Sequence, residues 1–176
     1  LYVSHPATEV ARLATTVVAL QHRRVLRAGS ASEVLSDPAI TPLGVRAAGA
    51  MLETTVIAHH ADGLSELGAQ GVRLLVPRVE SAPGTPLRVH VEAQDVMIAT
   101  ERPCGISALN VLPATVRTLR MGTGPGALVQ LRVGEALILS RITRRSVETL
   151  GLAPGQEVFA VLKAVSVAKE ALASPG

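Results

Sequence analysis

The chain has 176 residues and is 48% hydrophobic, enough apolar side chain to bury a core in one ordinary domain or in two to three small ones. With one Tyr, one Phe and no Trp, that core is aliphatic, and the missing aromatic faces exclude base-stacking nucleic-acid binding as a main function. The net charge of +3 is uneven: residues 1–50 carry five Arg against three acids (+2), residues 51–104 four Arg against seven acids (−3), and residues 105–176 eight Lys and Arg against four acids (+4), so an anion is drawn to the last segment.

The opening "LYVS" reads as the end of a buried strand, and Pro6 suits the first turn of a helix whose apolar face is Val10, Leu13 and Ala14. Between them stands His5, either a helix-entry residue or a side chain facing a ligand at the carboxyl edge of a sheet. "TTVVAL" and "RVLR" then predict two short strands around "QHR", with Gly29 breaking the second. Ser30 and Glu33 have the spacing of a capping box for a short helix that ends near "SDP". Strand, helix, strand, strand, helix is the order of the last part of an α/β domain. Residues 39–50, rich in Gly, Pro and Ala, make a linker.

Beyond the linker the texture changes to short strand-like runs divided by turn signals such as "HADG", "APGTP", "GTGPG" and "LAPG", the spacing of small barrels or sandwiches. This half repeats itself. "MLETTV" at 51–56 matches "VLPATV" at 111–116, "GVRLLVPRV" at 71–79 matches "GEALILSRI" at 134–142, and "GTPLRVHVEAQDV" at 84–96 matches "GQEVFAVLKAVSV" at 155–167. Two related barrels in tandem follow from this. The second copy has "TRRSVETLGLAP" at 143–154 where the first has "ESAP" at 80–83, and Lys163 where the first has Glu92.

An oxyanion needs hydroxyls, backbone N–H groups and a positive charge. The second copy offers Thr143 and Ser146 at the start of the inserted helix, Ser107 just before its first strand and Lys163 on its last. The same residues also read as ordinary caps, a turn residue and a solvated lysine. His59, His60, Asp62 and His90 raise the question of a metal, but adjacent histidines on a strand point to opposite faces and no further spaced ligand appears. No metal site is expected. Cys104, the single cysteine, excludes a disulfide within the chain and fits a reducing compartment. No run approaches the roughly 18 apolar residues of a membrane span, and the N-terminus lacks a signal-peptide design.

The stretch from "LYVSHPATEVARLA" to "GSASEVLSDP" resembles the last section of an ABC-transporter ATPase domain, above all in "VSH", Glu9, Arg12-Leu13-Ala14 and Gly29 with Glu33-Val34-Leu35. Thr15 stands where that pattern usually has Asp, and Arg23 where it has Gly. The resemblance implies that His5 is the switch histidine that meets the terminal phosphate of ATP. "SALNVLPATV" and "SRITRRSVETLGLAPGQEVFAVLKAVSV" resemble the molbindin type of domain found at the C-terminus of molybdate-importer ATPases, although Leu109 stands where Ser-Ala-Arg-Asn has Arg.

Together these imply an α/β fragment, the end of an ABC ATPase domain (1–38), then a linker (39–50) and an all-β part. That part comprises two tandem OB-like small barrels (51–104 and 105–168, the second of molbindin type) and a tail (169–176). The implied function is the C-terminal part of the ATP-hydrolysing subunit of a molybdate or tungstate importer, using ATP and Mg²⁺ in the full-length parent. The chain itself has no G-x-x-x-x-G-K-S/T loop and is expected to be inactive alone. Implied partners are a second copy, a membrane permease at the cytoplasmic face of the bacterial inner membrane and, indirectly, a periplasmic molybdate-binding protein. Nucleic acid is not among them. The alternative is a free-standing molbindin-like storage or sensor module.

Overall fold

The structure, a computed structural model, describes residues 3, 10, 14–21, 24–30, 34, 49–69, 71–122, 124–166 and 172–173. The first described elements are β1 (Thr16–Gln21) and β2 (Arg24–Ser30), paired antiparallel as an isolated two-stranded sheet. Gly29, expected to end the second strand, instead lies inside it opposite Val17, and Ser30, expected as a helix cap, pairs with Thr16. The hairpin leaves Val18, Leu20, Val25 and Leu26 exposed. The expected helix bearing Pro6 and Leu13, and most of the expected 30–38 helix, fall outside the described residues.

The β half is all-β and OB-like. Its first sheet contains β3 (Gly49–His59), β4 (Leu64–Ala69), β5 (Val72–Pro77) and β6 (Pro86–Glu92), which is followed by a 3-10 turn, η1 (Ala93–Asp95), and by β7 (Met97–Ala99). The second half repeats the order: β8 (Asn110–Met121), β9 (Gly126–Val133), β10 (Ala136–Thr143), the one-and-a-half-turn helix α1 (Arg144–Thr149), β11 (Glu157–Leu162), the 3-10 turn η2 (Ala164–Ser166) and β12 (Leu172–Ala173). Alternation along the strands puts Ser65, Leu67 and Ala69 of β4 inward while Leu64, Glu66 and Gly68 face out.

The registers align the two copies. Val56 pairs with Leu67 as Val116 pairs with Leu131, and each long strand bulges one residue later, between Val56 and Ala58 and between Val116 and Thr118. Leu52 opposite Val89 corresponds to Leu112 opposite Ala160, so the first and last sequence blocks lie in register. The middle block is displaced by one. Leu67 pairs with Leu74 where Leu131 pairs with Ile138, so Leu74 corresponds to Ile138 and not to Leu137. The reason is turn chemistry. Gly71 closes its hairpin one place later than Gly134 closes the other, and both need positive φ (87° and 58°).

The sheets also exchange strands. Their orders are β12-β6-β3-β4-β5 and β10-β9-β8-β11-β7, so β7, which follows the first copy, completes the second sheet, and β12, which follows the second copy, completes the first. Strand pairing therefore crosses the expected boundary at 104/105, β12 lies within the expected tail at 169–176, and β3 begins at Gly49 within the expected linker. The barrels meet along reciprocal surfaces, β5 against β8 and η2, and β10 against β3 and η1. Leu52, Leu74 and Val91 of one copy face their counterparts Leu112, Ile138 and Leu162 across a void of only about 10 Å³. A single buried aliphatic cluster runs through both copies.

Candidate functional site

The second sheet sorts the predicted oxyanion residues into two pairs. Leu162, the last residue of β11, lies opposite Asn110, the first of β8, so Lys163 and the preceding segment with Ser107 sit at one end of this strand pair, both exposed. Thr143 lies opposite Gly126 beside the other end of β8, where Met121 pairs with Ala127. Thr143 caps α1: its Oγ1 accepts from the Ser146 backbone N–H at 3.0 Å and lies 2.8 Å from the Ser146 Oγ. The twelve residues of β8, about 40 Å of extended strand, separate the pairs. Within one chain Ser107 and Lys163 lie toward the same end of the β8–β11 pair, Thr143 and Ser146 touch at the other, and the four do not share one place. The register places Glu92 at the position of Lys163, and the first copy has no counterpart of α1 among the described residues.

What positions the Ser107 end is Asn110. Its side chain is 2% exposed and binds both backbone groups of Leu75, with Oδ1 accepting from the N–H at 2.7 Å and Nδ2 donating to the C=O at 2.9 Å. An amide side chain thus mimics a strand and pins the start of β8 to the outer edge of β5 in the other barrel. Beside this clasp opens a groove of about 500 Å³, lined among others by His60, Glu66, Arg73, Leu75, Leu109 and Asn110. Arg73 donates to Glu66 at 2.6 Å, and the His60 Nε2 lies 3.4 Å from the other Glu66 oxygen without a hydrogen-bond partner among the described residues. Sequence reasoning missed both Arg73 and the clasp. The outward phase of Arg73 and Leu75 on β5 was readable, but which strand lies beside them was not.

The histidines divide into structural roles. The His59 Nε2 donates to the Ser81 carbonyl at 3.1 Å, its Nδ1 lies 2.8 Å from the Ser65 hydroxyl, and Ser65 in turn accepts the Val79 N–H at 3.0 Å. Among the described residues no group of three or more His, Cys, Asp or Glu is arranged to hold a metal ion. Cys104 is exposed, and no helix among the described residues is long and apolar enough to cross a membrane. His5 lies outside the described residues.

His90 is buried, its Nε2 has no partner among the described residues, and a Cβ on Gly49 would fall 2.5 Å from it and 2.6 Å from the Val91 carbonyl. Burial holds the imidazole below its ordinary range, against a smaller upward pull from Glu92. Burial, and then Glu92, push Asp95 upward. For His90 the unfolded chain takes up a proton first, so the full contribution is present above about pH 6.5 and is lost as pH falls toward the folded value. His90→Val, the residue type at the corresponding Val161, is expected to melt with less dependence on pH between 7 and 5. Parallel melting curves for the two proteins across that range would overturn the assignment.

Residues 106–168 match the TOBE domain. The chain is 43% identical over 168 residues to a molybdenum import ATP-binding protein (ModC) of Mesorhizobium japonicum, covering 94% of this chain and 45% of that protein. To the protein of the same name from Granulibacter bethesdensis it is 41% identical over 175 residues, covering 95% and 48%. The chain thus spans about half the length of these curated relatives. A crystal structure of the cytoplasmic molybdate-binding protein ModG with molybdate bound is also similar, with a TM-score of 0.61 and 29% identity over 71% of this chain and 95% of that one.

Proposed function

We propose that the chain belongs with the molybdenum import ATP-binding proteins and is the C-terminal part of the ATP-hydrolysing subunit of a molybdate importer. In this reading the barrel pair regulates or dimerises the subunit. The observation that carries the reading is the reach of the likeness. Similarity to the importer subunits runs through 94% of the chain, hairpin segment and barrels together, whereas the likeness to a molybdate-binding protein stops at 71%. The β1–β2 hairpin agrees with this, since its exposed Val18, Leu20, Val25 and Leu26 are apolar surface that a larger α/β domain would cover.

The residues present do not make an ATP site: the sequence has no G-x-x-x-x-G-K-S/T loop, so ATP and Mg²⁺ would be held by another part of the subunit. There His5 would meet the terminal phosphate. The subunit would work as a homodimer beneath a membrane permease at the cytoplasmic face of the inner membrane, with a periplasmic molybdate-binding protein supplying the permease. The two-copy arrangement also bears on the oxyanion. Ser107 and Lys163 lie at one end of β8 and Thr143 and Ser146 at the other, so a second copy is what would let the two pairs face one anion. The storage or sensor alternative rests on the ModG likeness and requires no ATP.

Deleting the encoding gene is expected to abolish uptake of trace molybdate by its host. Undiminished uptake with a lower intracellular molybdate store would favour the alternative. For the barrel pair, equilibrium dialysis of the chain against molybdate is expected to show binding that Lys163→Ala weakens at least tenfold, about 1.4 kcal/mol. No retention of molybdate by the wild-type chain would rule out an oxyanion role for the barrels.

A further inference from the structure

We propose that Arg73, on the first barrel, is the guanidinium donor of the oxyanion site to which Ser107 and Lys163 of the second barrel belong. This rests on the oxyanion reading above and adds to it that the first barrel, despite Glu92, takes part in binding.

The geometry converges on the junction of β5, β8 and η2. The Asn110 clasp holds the backbone of Leu75, so the segment from Ser107 to Leu109 enters β8 against β5. Arg73 and Leu75 are two apart on β5 and share its outer face, and both line the groove with Leu109 and Asn110. Lys163 leads directly into η2, which packs on β5, the strand that carries Arg73, although neither Lys163 nor Ser107 lines the groove itself. The groove, at about 500 Å³, has room for a tetrahedral oxyanion with part of its water shell. Arg73 is the group suited to it. Its side chain is 75% exposed, its one partner among the described residues is Glu66, and that contact uses NH1, which leaves N–H groups on the other arms of the planar fork to grip two oxygens at once.

Two carboxylates face the same groove and set the sign of a second effect. Asp62 accepts from the Leu64 N–H with one oxygen, and Glu66 is the competitor already bound to Arg73, with the His60 ring beside it. An incoming oxyanion must share the guanidinium with Glu66. Removing the Glu66 charge therefore strengthens binding where removing the Arg73 charge weakens it. Leu109 lines the groove as well, so a guanidinium carried from that position can replace one lost at Arg73.

The test is equilibrium dialysis of radiolabelled molybdate against the intact chain and four variants. The proposal expects Arg73→Ala to weaken binding at least tenfold without changing the melting curve, Glu66→Gln to tighten it several-fold, and Leu109→Arg added to Arg73→Ala to restore most of the loss. Arg73→Ala binding within twofold of wild type, while Lys163→Ala loses molybdate, overturns the role of Arg73 and leaves the oxyanion reading standing. A wild-type chain that retains no molybdate overturns the oxyanion reading itself, and the proposal with it.

Discussion

Asn110→Ala is expected to cost about 2–4 kcal/mol of folding free energy, which for a chain of this size lowers the melting temperature by roughly 5–12 °C. The loss exceeds that of an ordinary hydrogen bond because one side chain serves both the N–H and the C=O of Leu75. Truncation leaves a donor and an acceptor on β5 half-buried and unpaired, at the edge of the first sheet. Asn110→Asp is a sharper variant. It keeps an acceptor for the Leu75 N–H but turns a carboxylate oxygen toward the Leu75 carbonyl, so near neutral pH it is expected to be no better than Ala and to recover as acid protonates it. Hydrogen exchange at the Leu75 amide together with thermal melts reads both effects. Retained protection at Leu75 and an unchanged melting temperature in Asn110→Ala would show that the clasp holds nothing.

The sequence made the β half legible because turn residues and period-two alternation are local properties. "MLETTV" and "VLPATV" fall in register in β3 and β8, and Glu92 does occupy the place of Lys163. The one-residue displacement in the middle block came from aligning Gly71 on Gly134. Glycine marks a turn but not which turn position needs positive φ, and the two hairpins need it at different positions. The exchange of β7 and β12 was not readable at all, since three- and two-residue strands have no periodicity and their partners lie far along the chain. The candidate site divides in the same way. The Thr143 cap with Ser146 was legible as an N-cap signal before a helix. Arg73 was not, because its place beside Leu109 depends on how one barrel packs on the other. His5 itself lies outside the described residues, and the α/β resemblance around it remains part of the proposal.

Leu67→Ala and its counterpart Leu131→Ala are each expected to cost about 3–5 kcal/mol, as side chains that are 0% exposed in an aliphatic core do when truncated. The informative part is where the loss is felt. Were the copies independent barrels, Leu67→Ala would loosen β3 to β6 and leave β8 to β11 protected. The structure argues otherwise, because each barrel lacks its outer strand until the other supplies it, and Leu67, Leu131, Val56 and Val116 belong to one buried cluster. Either substitution should therefore lower a single cooperative transition and raise hydrogen exchange in both sheets together. Two resolved transitions, or an unchanged exchange pattern in β8 to β11 with Leu67→Ala, would show that the exchanged strands join the barrels without coupling them. Coupling is what a ligand at the Ser107 end would need in order to act beyond its own barrel: Lys163 opens the η2 segment that leads to β12, and β12 pairs with β6 of the first sheet, in which β3 continues the chain from the hairpin side.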